Sequence, residues 1–204
     1  MIIEGAELGV LRETAIIAAA LAIQDPRVQP PEKLEKARQA HRAFNYPGSD
    51  VLTLVNIWDA CRGEPVCAPG SSDKGQTRGS APTPSAGKLR RFCEVNFCSW
   101  QRMREWFDIY EQILRILKQH KEFDSALKRM GEPLCSPDSP PDNGQTQGSA
   151  PTAPALVHQA LTAGFLRNIA LRKEKNTYQI SGNREAVLFP GSGFIIREGS
   201  DRGS

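Results

Sequence analysis

The sequence predicts a mainly α-helical protein: a helical bundle, then a short, incomplete β-meander, with two long inserts that lack regular structure. Three observations carry this. Between Trp100 and Leu117 the side chains Trp100, Met103, Phe107, Tyr110, Leu114 and Leu117 recur at steps of three and four, the spacing that keeps side chains on one helix face. After Gly164 that period gives way to short runs rich in Phe, Ile, Val and Tyr, divided by turn residues. Residues 63–87 and 132–154 are rich in Gly, Ser, Pro and Thr and show no apolar period, the composition of disordered segments.

Residues 1–62 form the first part of the helical domain. Met1–Leu8 reads as the end of a helix, with Gly9 suited to the left-handed position after it. A chain that opens inside a helical hairpin is what a fragment would show. Leu11–Ile23 is an Ala-rich helix, stopped by Asp25-Pro26 because the residue before proline is pushed out of the helical region. Pro30-Pro31 opens a polar helix, Glu32–Phe44, where a first-turn proline loses no hydrogen bond. After the break at Tyr46-Pro47-Gly48, Ser49 or Asp50 caps a helix over Val51–Ala60, striped by Val51, Leu54, Val55 and Trp58.

The first insert, 63–87, follows. Residues 88–131 hold a short helix, Lys88–Glu94, and the central helix, capped by Asn96 or Ser99. Trp106, Ile109, Ile113 and Ile116 lie beside its seam, so the apolar arc covers about half the circumference, wider than a surface helix needs. The polar arc offers Arg104/Asp108 and Glu111/Arg115 at i,i+4. The second insert, 132–154, repeats the first: Asp73–Thr83 and Asp142–Thr152 agree at nine of eleven positions. Two copies without an apolar face are no solenoid; they read as one low-complexity unit inserted twice into surface loops, where added length costs little entropy. Ala155–Gly164, in segment 155–165, is the last helix. Residues 166–198 supply the β portion, with strands expected at Phe165–Arg172, Thr177–Ile180, Ala186–Phe189 and Phe194–Arg197, and 199–204 form a polar tail. Four short strands do not close a barrel, so edges stay open.

The net charge of +3 is unevenly placed. Residues 1–62 carry 7 basic and 8 acidic groups, residues 88–130 carry 10 and 6, and residues 167–204 carry 7 and 4. The middle and end permit contact with phosphate, although a solvated mixed-charge surface accounts for the same numbers. The five cysteines, Cys61, Cys67, Cys93, Cys98 and Cys135, contain no C-x-x-C and fit neither a zinc site nor a disulfide framework. They read as free thiols in a reducing cytoplasm. Glu4 and Glu7 stand where a signal peptide is basic, and the apolar run Ala15–Ile23 is too short for a bilayer. The expected protein is cytoplasmic, without a membrane partner.

Four ordered blocks carry a family resemblance. They are Ala18–Arg27 (AAALAIQDPR), Ser49–Trp58 (SDVLTLVNIW), Phe92-Cys93-x-x-Asn96-Phe97 with Arg102-x-Arg104-Glu105-Trp106-x-Asp108-Ile109-Tyr110, and Phe189–Gly193 (FPGSG). Together they resemble the region that follows the motor domains in DEAH-box RNA helicases of the bacterial HrpA type. The resemblance implies a ratchet-like helical domain followed by the start of an OB-like barrel. It implies single-stranded RNA and the helicase motor, in cis or in trans, as partners, and a role in forming the strand channel and coupling it to the motor. Any ATP and Mg²⁺ would belong to that motor. The departures are the two inserts.

The 204 residues contain no nucleotide-hydrolysing constellation. Gly87-Lys88 lacks the upstream glycine and following Ser/Thr of a phosphate-binding loop, and neither an Asp-Glu-Ala-His run nor a Gln-Arg-x-Gly-Arg motif occurs. His41, His120 and His158 stand apart and read as surface helix residues. The candidate nucleic-acid contacts are Arg102, Arg104, Lys173, Lys175, Arg184 and Ser192. Lys173, Lys175 and Arg184 are expected at hairpin tips beside Tyr178 and Phe194, an arrangement that tracks single strands in OB-like sheets. Ser192 lies in Pro190-Gly191-Ser192-Gly193, which reads as a phosphate-cradling nest or as a β-turn. Arg102 projects about 100° from the seam centre of the central helix, toward Trp106 and Ile109. Such a guanidinium needs a partner: a carboxylate from another helix, stacking on Trp106, or a phosphate of the threaded strand. The rival readings are a helical protein-interaction module and a non-functional remnant of a split helicase.

Overall fold

The computed structural model describes residues 1–63, 84–130, 153–174, 176–180, 182–188 and 192. Eight helices are followed by three strands among these residues: α1 (Ile2–Glu7), α2 (Leu11–Leu21), α3 (Leu34–Arg42), α4 (Asp50–Arg62), α5 (Ala86–Asn96), α6 (Trp100–Leu117), α7 (Asp124–Arg129), α8 (Ala153–Gly164), β1 (Leu171–Glu174), β2 (Thr177–Ile180) and β3 (Arg184–Val187). The mainly helical class with a small terminal sheet is the one the sequence predicts.

The core forms where α2, α4 and α6 meet. Ile16 and Ile17 of α2, Ile57 and Trp58 of α4, and Met103 and Trp106 of α6 are all fully buried. The Trp58 ring packs 4.2 Å from Phe107, 4.7 Å from Tyr110 and 5.3 Å from Trp106 between centroids. Offset and tilted aromatic pairs of this kind add stability beyond their buried area. The Trp106 indole N–H donates to the Ile16 carbonyl at 2.9 Å, which fixes how α6 rotates against α2. Val157 and Ala160 of α8 complete this core from one side, and Leu89 and Cys93 of α5 from another. A smaller cluster of Ala6, Leu11, Leu117, Phe123 and Ala126 closes the far end.

Several boundaries differ from the expectation. α6 has the predicted seam and the predicted Ser99 cap, whose Oγ accepts from the Arg102 amide at 3.4 Å. It ends at Leu117, and α7 turns back so that Phe123 and Ala126 cover Leu117. Ile116, placed beside the seam, is instead 56% exposed. The polar helix shortens to Leu34–Arg42 behind a 3₁₀ turn at Pro31–Lys33. α4 is buried on more than one stripe: Leu52, Thr53, Asn56 and Asp59 are buried along with Trp58, since α4 packs on α2 and its Trp58 on the aromatic rings of α6. The buried Asp59 is matched by Arg12 of α2 at 2.6 Å, a pair whose disruption would leave an uncompensated interior charge.

α5 starts at Ala86 and α8 at Ala153, so both helices begin inside the stretches assigned to inserts, most of which, residues 64–83 and 132–152, lies outside the described residues. The first expected strand is also displaced. Phe165–Ile169 forms a 3₁₀ turn at Leu166–Asn168 and pairing begins at Leu171, because Phe165 turns toward α8 while its amide caps the Leu161 and Thr162 carbonyls. β1, β2 and β3 form an antiparallel meander with Tyr178 opposite Arg172 and Ala186. The expected strand at Phe194–Arg197 lies outside the described residues. Among the described residues no helix is long and apolar enough to cross a membrane.

Candidate functional site

Two of the sequence blocks that carry the resemblance, Ala18–Arg27 and the one opening at Phe92, meet at the corner between α5 and α6. Phe97 joins the two helices in the left-handed conformation, with φ of 52°, a state that costs a bulky L-residue about 1–2 kcal/mol. Two contacts offset that cost: the Phe97 carbonyl accepts from the Val28 amide at 2.8 Å and from His41 Nε2 at 3.1 Å. The Ser99 amide donates to the Pro26 carbonyl at 2.7 Å, so residues 26–28 pair with 97–99 around an Arg27–Cys98 bridge. Asp25 and Arg27 close the strap through a side-chain pair at 2.6 Å. Burial pushes the Asp25 carboxyl up, but hydrogen bonds and charge from Arg27 outweigh it and hold the group below the ordinary carboxylate value.

Arg102 enters this corner. Its Nη1 donates to the Asp25 carbonyl at 2.8 Å. Among the described residues it meets neither a carboxylate nor Trp106, the two structural partners the sequence suggests. Among the described residues Arg104 makes no ion pair with Asp108; it lies over the Trp100 ring, with Cζ 5.6 Å from the centroid. Arg90 of α5 reaches the same ring at 4.9 Å. The Trp100–Arg104 spacing of four was legible on a helical wheel. Arg90 was not, because its approach depends on the turn at Phe97.

The β-side candidates separate. In a meander the two turns lie at opposite ends, so Lys173, near the β1–β2 turn, and Arg184, at the β2–β3 turn, do not cluster. Lys173 reaches across β2 to Glu185 at 2.7 Å, and this exposed lysine, first by its hydrogen bond and then by its charge, lowers the Glu185 carboxyl. Arg184 is exposed, and Lys175 lies outside the described residues. Ser192 donates its hydroxyl to Asp50 Oδ2 at 2.6 Å, at the start of α4, where a carboxylate repels rather than attracts phosphate.

Two histidines read as surface residues are structural. His41 is buried against Phe97, and His158 Nε2 lies 2.8 Å from the capping hydroxyl of Ser49. His120 is exposed. Cys61, Cys93 and Cys98 are buried free thiols, as expected, while Cys67 and Cys135 lie outside the described residues. Among the described residues no three His, Cys, Asp or Glu side chains gather as metal ligands.

Residues 1–54 match the family model described as helicase associated domain (HA2), ratchet-like. Over 196 residues, 96% of its length, the chain is 30% identical to the ATP-dependent RNA helicase HrpA of Escherichia coli (strain K12). The chain is related in sequence to HrpA-type helicases. It is also 30% identical over 193 residues to the ATP-dependent RNA helicase HrpA homolog of Haemophilus influenzae (strain ATCC 51907 / DSM 11121 / KW20 / Rd). The resemblance carried by the four blocks thus extends over nearly the whole HrpA-related chain, which spans 12% of the length of each of these relatives.

Proposed function

We propose that this chain is an accessory, RNA-contacting region of an ATP-dependent RNA helicase, which helps line a single-strand channel and couples it to a motor. The observation that carries the reading is the similarity to HrpA sequences over 96% of the chain. The basic α5–α6 corner supports it, since phosphate neutralisation is what a strand-lining surface must supply. Arg102 keeps guanidinium donors beyond the one held by Asp25, so it remains a proposed strand contact, with Arg104 beside it. The chemistry belongs elsewhere: the 204 residues offer no phosphate-binding loop, and ATP with Mg²⁺ would be held by the motor. The test is the anisotropy of a labelled oligouridylate titrated with the chain between about 50 and 200 mM salt, where contacts to several phosphates weaken binding steeply. A flat response, or RNA-stimulated ATP turnover at about 1–100 s⁻¹ by the chain alone, would overturn the reading.

A second reading, a helical module that docks a protein, has its own support. Leu21, Val51, Leu161, Phe165 and Ile169 line an open groove of about 420 Å³. Leu166 and Leu171 beside it are 66% and 74% exposed. Exposed apolar surface of this kind marks contact with another protein, and the helicase motor is the partner it would serve. Co-purification of a separately expressed motor with the chain, abolished by Phe165→Glu, would favour this role.

A further inference from the structure

We propose that Arg90 and Arg104, gathered on the indole of Trp100, form a clamp for backbone phosphates of a single RNA strand. The inference rests on the RNA-contacting reading and gives it a location. One guanidinium on an indole is common. Here two converge from different helices, at 4.9 and 5.6 Å from one ring centroid, although like charges brought together oppose each other.

Each arginine has an acid one turn further along its own helix, Glu94 for Arg90 and Asp108 for Arg104. Neither pair forms, and among the described residues no carboxylate neutralises either cation. Stacking on the ring restrains both side chains in advance, so little further side-chain freedom is lost when an anion arrives. A stacked guanidinium still offers its N–H edge, the fork that fits phosphate bidentately. Lys88 and Arg91, exposed on the same helix, extend the positive surface, and the first turn of α5 holds no acid. Two forks this close suit a ligand with regularly repeated anions, which a nucleic-acid backbone supplies.

Trp100 supplies the readout. Trp58 and Trp106 are fully buried, whereas Trp100 is partly exposed beneath the two cations, so strand binding should alter mainly its emission. The experiment titrates the full chain with oligouridylate over a range of salt, following Trp fluorescence and anisotropy. Wild type is compared with Arg90→Gln/Arg104→Gln and with Arg90→Lys/Arg104→Lys. For the Gln pair the expected result is an affinity about tenfold lower at low salt, with a log–log salt slope shallower by about 1.4, the loss of two phosphate contacts on a single strand. The Lys pair should recover most of the slope but not the affinity, because it restores charge without the fork. If wild type binds the strand and either pair, folded by circular dichroism, matches it in both affinity and slope, the clamp is refuted while the RNA-contacting role stands. If wild type shows no salt-dependent binding, the role itself fails. The Lys pair keeps the charge and the packing of the corner, so the clamp can be judged on it alone should the Gln pair fail to fold.

Discussion

Replacing Gly5 by alanine tests whether α1 belongs to the folded unit, and its cost can be worked from the structure. A Cβ at position 5 would lie 2.3 Å from Thr14 Oγ1, 2.8 Å from its Cγ2 and 3.0 Å from its Cβ. The threonine cannot simply rotate away. Its Oγ1 bonds the Val10 and Leu11 carbonyls at 3.1 and 3.0 Å, it is fully buried, and its own Cβ stays close in every rotamer. α1 must therefore shift outward by several tenths of an ångström, against packing that also holds Ala6 on Leu11. Overpacking of this size costs about 2 kcal/mol, or a fall in Tm of about 4–8 °C for a chain of this length. Thr14→Ala removes the two atoms most in conflict, so in the double variant the penalties should not add. A coupling of about 1–2 kcal/mol in favour of the double variant is expected from thermal or urea unfolding of the four proteins. Strict additivity, or an unchanged Tm for Gly5→Ala, would show that the α1–α2 crossing is not close-packed in solution.

Three further outcomes are expected. His158 is held below its ordinary value of 6.5 by burial, so its neutral form favours the folded state, and this stability is present above about pH 6.5 and is lost as pH falls toward the depressed folded value; Tm between pH 7.5 and 5.5 (about two units) should fall more steeply in wild type than in His158→Gln. Burial pushes the Cys61 and Cys98 thiols up to about 12 and Cys93 up to about 11, so peptide mapping after brief alkylation near neutral pH should find all three unmodified until denaturant is added. Arg102→Met removes the bond to the Asp25 carbonyl and should cost about 1 kcal/mol in urea unfolding; if it also reduces the salt slope of strand binding, Arg102 is a contact, and an unchanged slope makes it purely structural.

The parts of the fold legible in sequence are those in which one element decides its own fate. α6 shows its seam because a single face is buried, and Ser49 and Ser99 cap their helices through local geometry. α4 shows only one of its buried faces as a stripe, since burial from several sides leaves no polar arc to define the others. Phe165–Ile169 has the composition of a strand, yet Phe165 and Ile169 face the groove beside α8; composition reports preference for enclosure, not which neighbour supplies it. The site followed the same division. Arg104 and Trp100 share a helix and could be paired by counting. Arg90 needed the left-handed Phe97, and Arg102 found a backbone carbonyl, an acceptor every residue carries and no residue type announces. His41 and His158 looked like surface residues because their partners are 56 and 109 positions away.

Closure of the bundle across the length of the chain has a consequence for the order in which it can assemble. Gly164 at the end of α8 abuts Met1, and the hydrogen bonds Trp106–Ile16, Ser49–His158 and Asp50–Ser192 span 90, 109 and 142 positions. Helical proteins usually fold fast because their contacts are local, whereas distant closures must be reached before they reward the chain. On a ribosome adding about 5–20 residues per second, α2 would wait on the order of ten seconds for α8. Throughout that interval the side of the core that Val157 and Ala160 of α8 come to cover remains open to other chains and to chaperones. α8 is thus the last helix of the described bundle to arrive, and that side of the core stays unprotected until it docks.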